Sequence, residues 1–365
     1  MFGWHGKVLR VDLTHGTTNV EPMDPQTAKD YIGGRGWAIK VLSDEVDPGV
    51  DPLSPENHLI FTTGPLTGTP APTGNRFMVT TKAPLTGAIA CSNSGGMYPT
   101  EMKRTGLDMI IFEGRADRPV YVWISGSEDK DEPQVEIRPA DHLWGEPVPE
   151  TTEALLTETD EKARVACIGP AGEHLAKMAS IMNDKHRAAG RSGVGAVMGS
   201  KNLKAVVVRG SKKVELAEPD AMRDLCRKVR GEVAADVKKG SSLRDYGTAY
   251  VPIVTNELGI LPTRNFQTGV FEGVEGITGV VLTEKYLVRP KPCYGCPIAC
   301  GRRTTLEGTS YRGEGEGPEY ETIASLGSAC GLDDLAAVTK ANYLCNELGL
   351  DTISAGMTIA CAMEM

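Results

Sequence analysis

The sequence predicts an α+β protein whose residues 1–210 are rich in β-strands and whose residues 211–365 are mainly helical. Two observations support this division. Most of the 42 glycines and 23 prolines precede residue 320, between short runs of β-branched and apolar residues. After Lys213, longer segments carry apolar residues at helical spacing. We therefore place a domain boundary near residue 210.

A β-hairpin is predicted at the start of the chain. Residues alternate from Gly6 to Asp12 as in a half-buried strand, His15-Gly16 marks a turn, and a second strand is expected around Thr17 to Glu21. The spacing of the later strand candidates favours antiparallel sheets joined by glycine-rich loops. These candidates are His58 to Thr63, Arg76 to Thr81, Met109 to Glu113, Val120 to Ile124, Val135 to Arg138, Arg164 to Ile168 and Ala205 to Arg209.

Helices are predicted at four places. The first runs from Asp24 to Tyr31 and ends at Gly33-Gly34, because glycine readily takes the left-handed conformation that closes a helix. Two longer ones are predicted from Pro219 to Lys238 and from Leu335 to Gly349. The apolar pattern from Met357 to Met365 stops without a cap or polar tail, so we expect the chain to be cut within a domain.

The composition favours a soluble, acidic protein with a sizeable core. A chain of 365 residues can form two or three domains, and a net charge of −9 argues against nucleic acid or an anionic membrane as the main partner. The sequence shows neither a signal peptide nor a run approaching the roughly 18 apolar residues of a spanning helix. We therefore expect a cytoplasmic protein without membrane insertion.

Three cysteines form the most informative motif. Cys293, Cys296 and Cys300 have C-x2-C-x3-C spacing, and the glycine and prolines around them let a short loop wrap round a metal centre. Zinc usually binds two separated pairs of ligands, whereas three clustered cysteines with a distant fourth are typical of a [4Fe–4S] cluster. The spacing therefore favours iron–sulfur over zinc and over unligated core thiols. We expect the fourth ligand beyond residue 365, because the downstream cysteines lie in apolar helical contexts where inert thiols are common. These are Cys330, Cys345 and Cys361.

Two glycine-rich patterns do not meet the requirements of nucleotide-binding motifs. The glycines from Gly193 to Gly199 mimic a dinucleotide fingerprint, but a predicted strand follows them instead of preceding them. Gly199-Ser200-Lys201 reverses the lysine–serine order of a P-loop. Tight turns explain these glycines better, although exposed backbone amides leave a different phosphate-bearing cofactor open.

Six further segments combine with the cysteine triplet into a pattern. They are Tyr31 to Trp37, Gly74 to Phe77, Ser92 to Gly96, Arg187 to Lys201, Gly317 to Thr322 and Asn346 to Asp351. In order and spacing, from residue 6 to the end of the chain, they resemble the tungsten-containing aldehyde:ferredoxin oxidoreductase family. The resemblance indicates the amino-terminal three-fifths of a catalytic subunit. It implies a first domain of two β-sheets forming a saddle over a tungsten bis-pyranopterin, then mostly helical domains, with a [4Fe–4S] cluster near one pterin.

The resemblance also implies roles for the cysteine triplet of the second domain and for single residues of the first. The three clustered cysteines match cluster ligands, and Arg76 matches an arginine between cluster and pterin, where a guanidinium can donate to both. Asn93 matches a residue whose carbonyl binds the Mg2+ that bridges the two pterin phosphates. The second carbonyl ligand falls at Arg191 or Ser192, and the resemblance leaves that choice open.

Further residues match motifs in the second domain. Asn346, Leu350 and Asp351 match a pterin motif whose leading aspartate is here an asparagine, so that contact carries no charge. Glu319 and Glu321 cover the family's active-site glutamate, and the one that is not catalytic would be a carboxylate at a helix amino terminus. The second pterin motif and a catalytic histidine are expected past residue 365.

The implied reaction is the two-electron oxidation of an aldehyde to a carboxylic acid with oxygen from water. Electrons would leave singly through the cluster to ferredoxin or an iron–sulfur partner subunit, and a homodimer is compatible with the resemblance. Three alternatives stay open. They are a tungsten reductase of the same family acting on an aromatic thioester such as benzoyl-CoA, an iron–sulfur electron-transfer protein without pterin, and a zinc-stapled binding module.

Overall fold

The computed structural model describes residues 1–238 and 242–365. The chain forms two compact units, of which unit 1 comprises Met1–Cys226 with Glu347–Leu350 and unit 2 comprises Arg227–Asn346 with Asp351–Met365. The described part of unit 1 contains two six-stranded sheets, and that of unit 2 is mainly helical with a three-stranded sheet. The predicted α+β class is therefore confirmed. The boundary between the units lies after Cys226. The change from a strand-like to a helical sequence pattern lies nearer residue 210.

The first sheet of unit 1 has the strand order β2-β1-β6-β3-β4-β5. Its strands are β1 (Lys7–Asp12), β2 (Thr17–Pro22), β3 (Leu59–Thr63), β4 (Phe77–Lys82), β5 (Ile89–Ser94) and β6 (Met109–Glu113). The predicted hairpin is present as β1 and β2, and the three strands predicted between residues 58 and 113 are present as β3, β4 and β6. The edge strand β5 was not predicted from the sequence.

The second sheet has the order β11-β10-β9-β12-β7-β8. Its strands are β7 (Val120–Gly126), β8 (Gln134–Pro139), β9 (Arg164–Cys167), β10 (Ile181–Asn183), β11 (Arg187–Ala189) and β12 (Leu203–Gly210). The expected antiparallel pairing holds for most neighbouring strands of the two sheets but fails for two pairs, because β1 pairs with β6 and β7 pairs with β12 in parallel. Both pairs join strands far apart in the sequence, and the spacing of neighbouring strands carries no information about such pairs.

One hydrophobic core draws residues from both sheets. Leu9, Phe61 and Phe112 of the first sheet and Val122 and Val206 of the second belong to it, and all are fully buried. The Phe61 and Phe112 rings meet edge-on with centroids 5.5 Å apart. Burying one such side chain contributes roughly 1.5–3 kcal/mol, so this core holds unit 1 together.

The helices of unit 1 are short and connect the strands. They are α1 (Pro25–Tyr31), α2 (Gly34–Glu45), α3 (Tyr98–Arg104), α4 (Val148–Glu158), α5 (Pro170–Glu173) and α6 (Val194–Ser200), followed by α7 (Pro219–Lys238), which continues into unit 2. The helix predicted from Asp24 to Tyr31 is present as α1, but the residue that closes it differs from the prediction. Ile32, not a glycine, takes the left-handed conformation there with φ 64°. Gly33 is required for a different reason, which is the close approach of the Trp4 ring. A Cβ atom on residue 33 would lie only 1.9 Å from that ring. The following helix α2 was not predicted.

Unit 2 is mainly helical and also contains a small sheet. Its helices are α8 (Ser242–Asp245), α9 (Val251–Glu257), α10 (Gly279–Lys285), α11 (Tyr320–Leu326), α12 (Leu335–Leu348) and α13 (Thr352–Glu364), and its strands are β13 (Leu287–Lys291), β14 (Gly301–Thr305) and β15 (Glu314–Glu316). The predicted helices after residues 219, 335 and 357 are present as α7, α12 and α13. Short 3-10 turns lie at Asp141–Leu143, Arg191–Gly193, Gly247–Tyr250, Val274–Ile277 and Ser328–Cys330. No helix in the described ranges has the length and apolar character needed to span a membrane.

The start of β1 is held by a buried carboxylate. Asp108 accepts hydrogen bonds from the backbone N–H groups of His5 (2.9 Å) and Gly6 (2.7 Å), and its other oxygen pairs with Lys103. Burial in this environment lowers the pKa of His5 to about 4. The imidazole is therefore neutral in the folded protein at pH 5–7.

We expect His5 to make unit 1 less stable as the pH falls. The unfolded state takes up a proton near pH 6.5 and the folded state only near pH 4, so stability is lost between these values. Between pH 7 and 5 the loss attributable to His5 is about 2 kcal/mol. Urea unfolding of the wild type and of His5→Gln, each at pH 7 and at pH 5, measures this loss of stability. An equal effect of His5→Gln at both pH values would contradict the prediction.

Candidate iron–sulfur and cofactor-binding residues

The three clustered cysteines lie on the loop between β13 and β14. Lys291 and Gly301 are paired at the ends of these antiparallel strands, so the two ends of the loop are held together. The backbone N–H of Cys296 donates to the Cys293 carbonyl at 3.1 Å, and Gly295 turns the chain with φ 64°. All three cysteines are half-buried thiols outside any disulfide. The loop therefore presents three thiols between two paired strand ends, and the first two of them flank a tight turn.

The width of this loop bears on which metal centre it fits. Three thiolates on one tetrahedral zinc ion, each about 2.3 Å from it, would lie roughly 3.8 Å apart. In the described ranges the three sulfurs do not all come within 4.8 Å of one another. The loop is thus wider than a single zinc ion requires. A multi-iron cluster fits it better, because each cysteine would bind a different iron.

One group of possible metal ligands does come together elsewhere in unit 1. Glu45, His58 and Glu113 offer ligand atoms within 4.8 Å of one another. The guanidinium of Arg10 already donates to both carboxylates and to Glu21. The arginine neutralises much of the negative charge that would attract a cation, so this group is explained as an ion-pair network.

Arg76 and Asn93 lie side by side in unit 1. Met78 of β4 pairs with Asn93 of β5, and this register places Arg76 next to the asparagine side chain. The Nε atom of Arg76 donates to Asn93 Oδ1 at 3.0 Å. Arg76 is exposed and Asn93 half-buried, so both have polar atoms that a ligand could reach.

Arg191 and Ser192 form part of a turn that contacts β5, the strand of Asn93. Ser192 and Gly193 both take the left-handed conformation, with φ 74° and 76°. Successive N–H groups in such turns form concavities that bind anions, especially phosphates. The structure thus places Arg76, Asn93 and this turn near one another, and it does not distinguish Arg191 from Ser192 as the carbonyl ligand.

A distant segment joins the same region of unit 1. Leu350 pairs with Ala179, and the Ser180 N–H donates to the Gly349 carbonyl at 2.8 Å. Ala179 also accepts a hydrogen bond at 3.0 Å from Gly195, which follows the left-handed turn. Residues from three separate parts of the sequence, two of them predicted to bind the pterin, therefore meet near Ala179. An exposed guanidinium, an amide and a turn with two successive left-handed residues are a set of groups that fits a ligand bearing phosphates.

The remaining predicted pterin residues lie in unit 2 and have structural roles as well. Asn346 is buried near the end of α12, with 8% of its surface exposed. Asp351 is the N-cap of α13, where its carboxylate accepts hydrogen bonds from the N–H groups of Ile353 and Ser354, each at 3.2 Å. This cap explains the aspartate without a cofactor, so a pterin contact for Asp351 stays a prediction.

We expect substitutions of Asp351 to separate these two roles. Asp351→Ala should destabilise unit 2 by about 1 kcal/mol through loss of the cap, whereas serine keeps a capping oxygen and should cost little. If Asp351 also binds the pterin, both variants should purify with less tungsten. Asp24 caps α1 in the same way, so Asp24→Ala is a matched control that should cost stability alone. Full tungsten content in Asp351→Ser would contradict a pterin contact.

The two candidate glutamates lie at the start of α11. Glu319 is the N-cap residue and Glu321 is in the first turn, and both side chains are exposed. The structure does not choose between them. A third carboxylate, that of Glu316, was not predicted from the sequence to be near the cysteines. Glu316 is only 5% exposed and pairs with Lys291, which lies at the start of the cysteine loop. Strand β15, which buries this carboxylate, was not predicted either.

Comparisons with known proteins cover the whole chain. Residues 8–210 match the family model described as aldehyde ferredoxin oxidoreductase, N-terminal domain, and residues 224–365 match that for domains 2 and 3. The chain is 52% identical to a tungsten-containing aldehyde ferredoxin oxidoreductase of Pyrococcus abyssi and 51% identical to that of Pyrococcus furiosus. Both alignments cover 100% of this chain and 59% of the relative.

A solved structure is similar as well. It is the active-site complex BamBC of benzoyl-coenzyme A reductase with 1,5-dienoyl-CoA, which is 34% identical with a TM-score of 0.87. The alignment covers 100% of this chain and 56% of that chain. Two family models together account for nearly the whole sequence. The chain therefore belongs to the aldehyde ferredoxin oxidoreductase family.

Proposed function

We propose that the protein containing this chain oxidises aldehydes to carboxylic acids at a tungsten bis-pyranopterin centre. Water would supply the oxygen, and electrons would pass through a [4Fe–4S] cluster to ferredoxin or an iron–sulfur partner subunit. The observation that carries the proposal is the wide three-cysteine loop in a chain 51–52% identical along its whole length to proteins named for this activity. The chain spans 59% of those relatives, so the proposal concerns the complete protein.

Residues of unit 1 would hold the pterin phosphates. The Arg76 guanidinium can donate to phosphate or pterin atoms, since it is exposed beside Asn93. Oxygen atoms are the ligands that Mg2+ prefers, and the Asn93 carbonyl and that of Arg191 or Ser192 would supply two of them. Cys293, Cys296 and Cys300 would bind three irons of the cluster as thiolates.

When bound, the tungsten centre would act as a Lewis acid and accept two electrons from the substrate. The chain contributes a carboxylate for proton transfer. Glu319 or Glu321 would accept a proton from water, or hydrogen-bond the aldehyde oxygen once protonated. Both side chains are exposed at the start of α11, as a group that must reach a substrate requires.

The alternatives differ in how well the observations support them. A reductase acting on an aromatic acyl-CoA is favoured by the likeness to the benzoyl-coenzyme A reductase complex, but that identity is 34% against 52% for the aldehyde enzyme. An iron–sulfur protein without pterin would not explain why Arg76, Asn93 and the 191–193 turn lie close together. A zinc-binding module disagrees with the width of the cysteine loop.

Metal and cofactor analysis of the full-length, anaerobically purified protein tests the proposal. We expect tungsten, iron and pterin fluorescence, and reduction of viologen on addition of small aldehydes. Molybdenum in place of tungsten would overturn the metal assignment. Oxidation of reduced viologen by benzoyl-CoA, with no response to aldehydes, would favour the reductase.

A further inference from the structure

Arg302 comes directly after the cysteine loop and is almost fully buried, with 2% of its surface exposed. It lies on β14, where it pairs with Pro290 of β13. Its carbonyl accepts a hydrogen bond from the Gly317 N–H at 2.8 Å. Strand pairing therefore fixes the main chain of Arg302 and leaves its charged side chain in the interior of unit 2.

The guanidinium donates to four main-chain carbonyls. Two belong to the cysteine loop, those of Ala299 at 3.0 Å and Cys300 at 3.1 Å. The other two are at the end of α8, those of Arg244 and, at 3.1 Å, Asp245. Arg302 therefore ties the last part of the cysteine loop to α8.

The loop needs such ties because its own conformation is strained. Ala299 takes the left-handed conformation with φ 55°, which is uncommon for a residue other than glycine and persists only where neighbours enforce it. The Arg244 side chain donates to the Pro297 carbonyl at 3.0 Å, so α8 holds the loop at a second point. Gly247 packs so closely that a Cβ atom on it would lie 2.6 Å from the Cys300 carbonyl.

Among the residues that the structure describes, no carboxylate forms an ion pair with the buried charge of Arg302. The guanidinium contacts the main-chain carbonyls of Arg244 and Asp245, and the side chains of these two residues carry opposite charges. Carbonyl groups stabilise a guanidinium but do not neutralise it, and a buried charge without a counter-ion is costly. The other ionisable neighbour is Cys300. As a cluster ligand it would be a thiolate, which would supply the missing negative charge.

We propose that Arg302 is a positioning residue for the iron–sulfur centre, which holds the cysteine loop through carbonyl contacts and offsets the negative charge of the thiolate-bound cluster. The inference rests on the proposed function, because it requires a cluster at these cysteines. Reduction adds one electron to the cluster. A fixed cation beside it stabilises the reduced form, so Arg302 should raise the reduction potential.

Two measurements on the full-length protein test this role. One is a redox titration of the cluster monitored by electron paramagnetic resonance, and the other is the rate at which iron is lost to a chelator. In Arg302→Gln the equilibrium constant for reduction should fall about tenfold, which corresponds to a potential about 59 mV lower for one electron. Arg302→Lys keeps the charge but loses the planar set of donors, so its potential should stay near that of wild type while iron is lost faster. The next residue, Arg303, is half-exposed and paired with Glu314 at 3.0 Å, so Arg303→Gln is a matched control that should change neither value.

The possible results separate the two proposals. If Arg302→Gln matches Arg303→Gln in potential and in iron loss, the role of Arg302 is refuted while the cluster stands. If Arg302→Gln does not load a cluster, Arg302→Lys decides, since a lowered potential there would refute the charge role and an unchanged one would support it. Loss of iron from both variants, with native circular dichroism, would support the positioning role. A wild-type protein without iron would instead overturn the proposed function.

Discussion

Replacing Cys296 by alanine is expected to remove the iron–sulfur centre. Cys296 is the middle cysteine of the loop, and its N–H closes the turn onto Cys293. Without its thiolate, one iron would lose its protein ligand. We expect iron content to fall towards zero, the visible absorption to vanish, and aldehyde-dependent viologen reduction to fall more than about 100-fold, since even residues that only support metal ligands cost 10–100-fold.

Cys345 supplies the control for this experiment. It is buried in α12, and burial raises the pKa of its thiol to about 11, so it does not form a thiolate at neutral pH. Cys345→Ala should keep its iron and differ from wild type only by the small cost of an unfilled volume. Equal iron loss in both variants would mean that the protein has lost its fold, whereas full iron content in Cys296→Ala would refute the assignment of the cluster.

The sequence predicted the elements that are set by local patterns. Alternation located β1, β3, β4, β6 and β12, and the helical spacing of apolar residues located α7 and α12. It did not predict α2, because the preceding Gly33-Gly34 was interpreted as the end of α1. The reason for Gly33 is the Trp4 ring beside it, a contact between residues far apart in the chain. Only the folded structure shows such a contact.

The residues of the candidate site also fall into two groups, those that a local sequence pattern predicts and those that only the folded structure shows. Cys293, Cys296 and Cys300 could be predicted as cluster ligands from the sequence because the three lie within one short segment. The residues that hold their loop in place could not be predicted in this way. Arg302 binds main-chain carbonyls of α8, and because every residue has such a carbonyl, no sequence pattern marks the contact. Asp351 shows the converse difficulty. Its position in a family motif pointed to the cofactor, but the structure also uses it as an N-cap.

The buried ion pair of Lys103 and Asp108 predicts the largest effect on stability. Both side chains have no exposed surface, and burial lowers the pKa of Lys103 while the Asp108 carboxylate opposes this change. Lys103→Met would leave Asp108 as a buried charge, with only N–H donors at the start of β1 to stabilise it. Breaking one partner of a buried pair costs about 3–5 kcal/mol, so the urea midpoint should fall sharply.

A second substitution separates the charge from the lost packing. In Lys103→Met/Asp108→Asn no charge is buried, and the asparagine oxygen can still accept from the N–H groups of His5 and Gly6. The double variant should therefore be more stable than Lys103→Met alone. The exposed pair of Lys185 and Glu153 is the control, since Lys185→Met should cost less than about 1 kcal/mol. If the double variant is no more stable than the single one, the stabilisation comes from packing of the lysine stem, and the buried charge of Asp108 is not the cause.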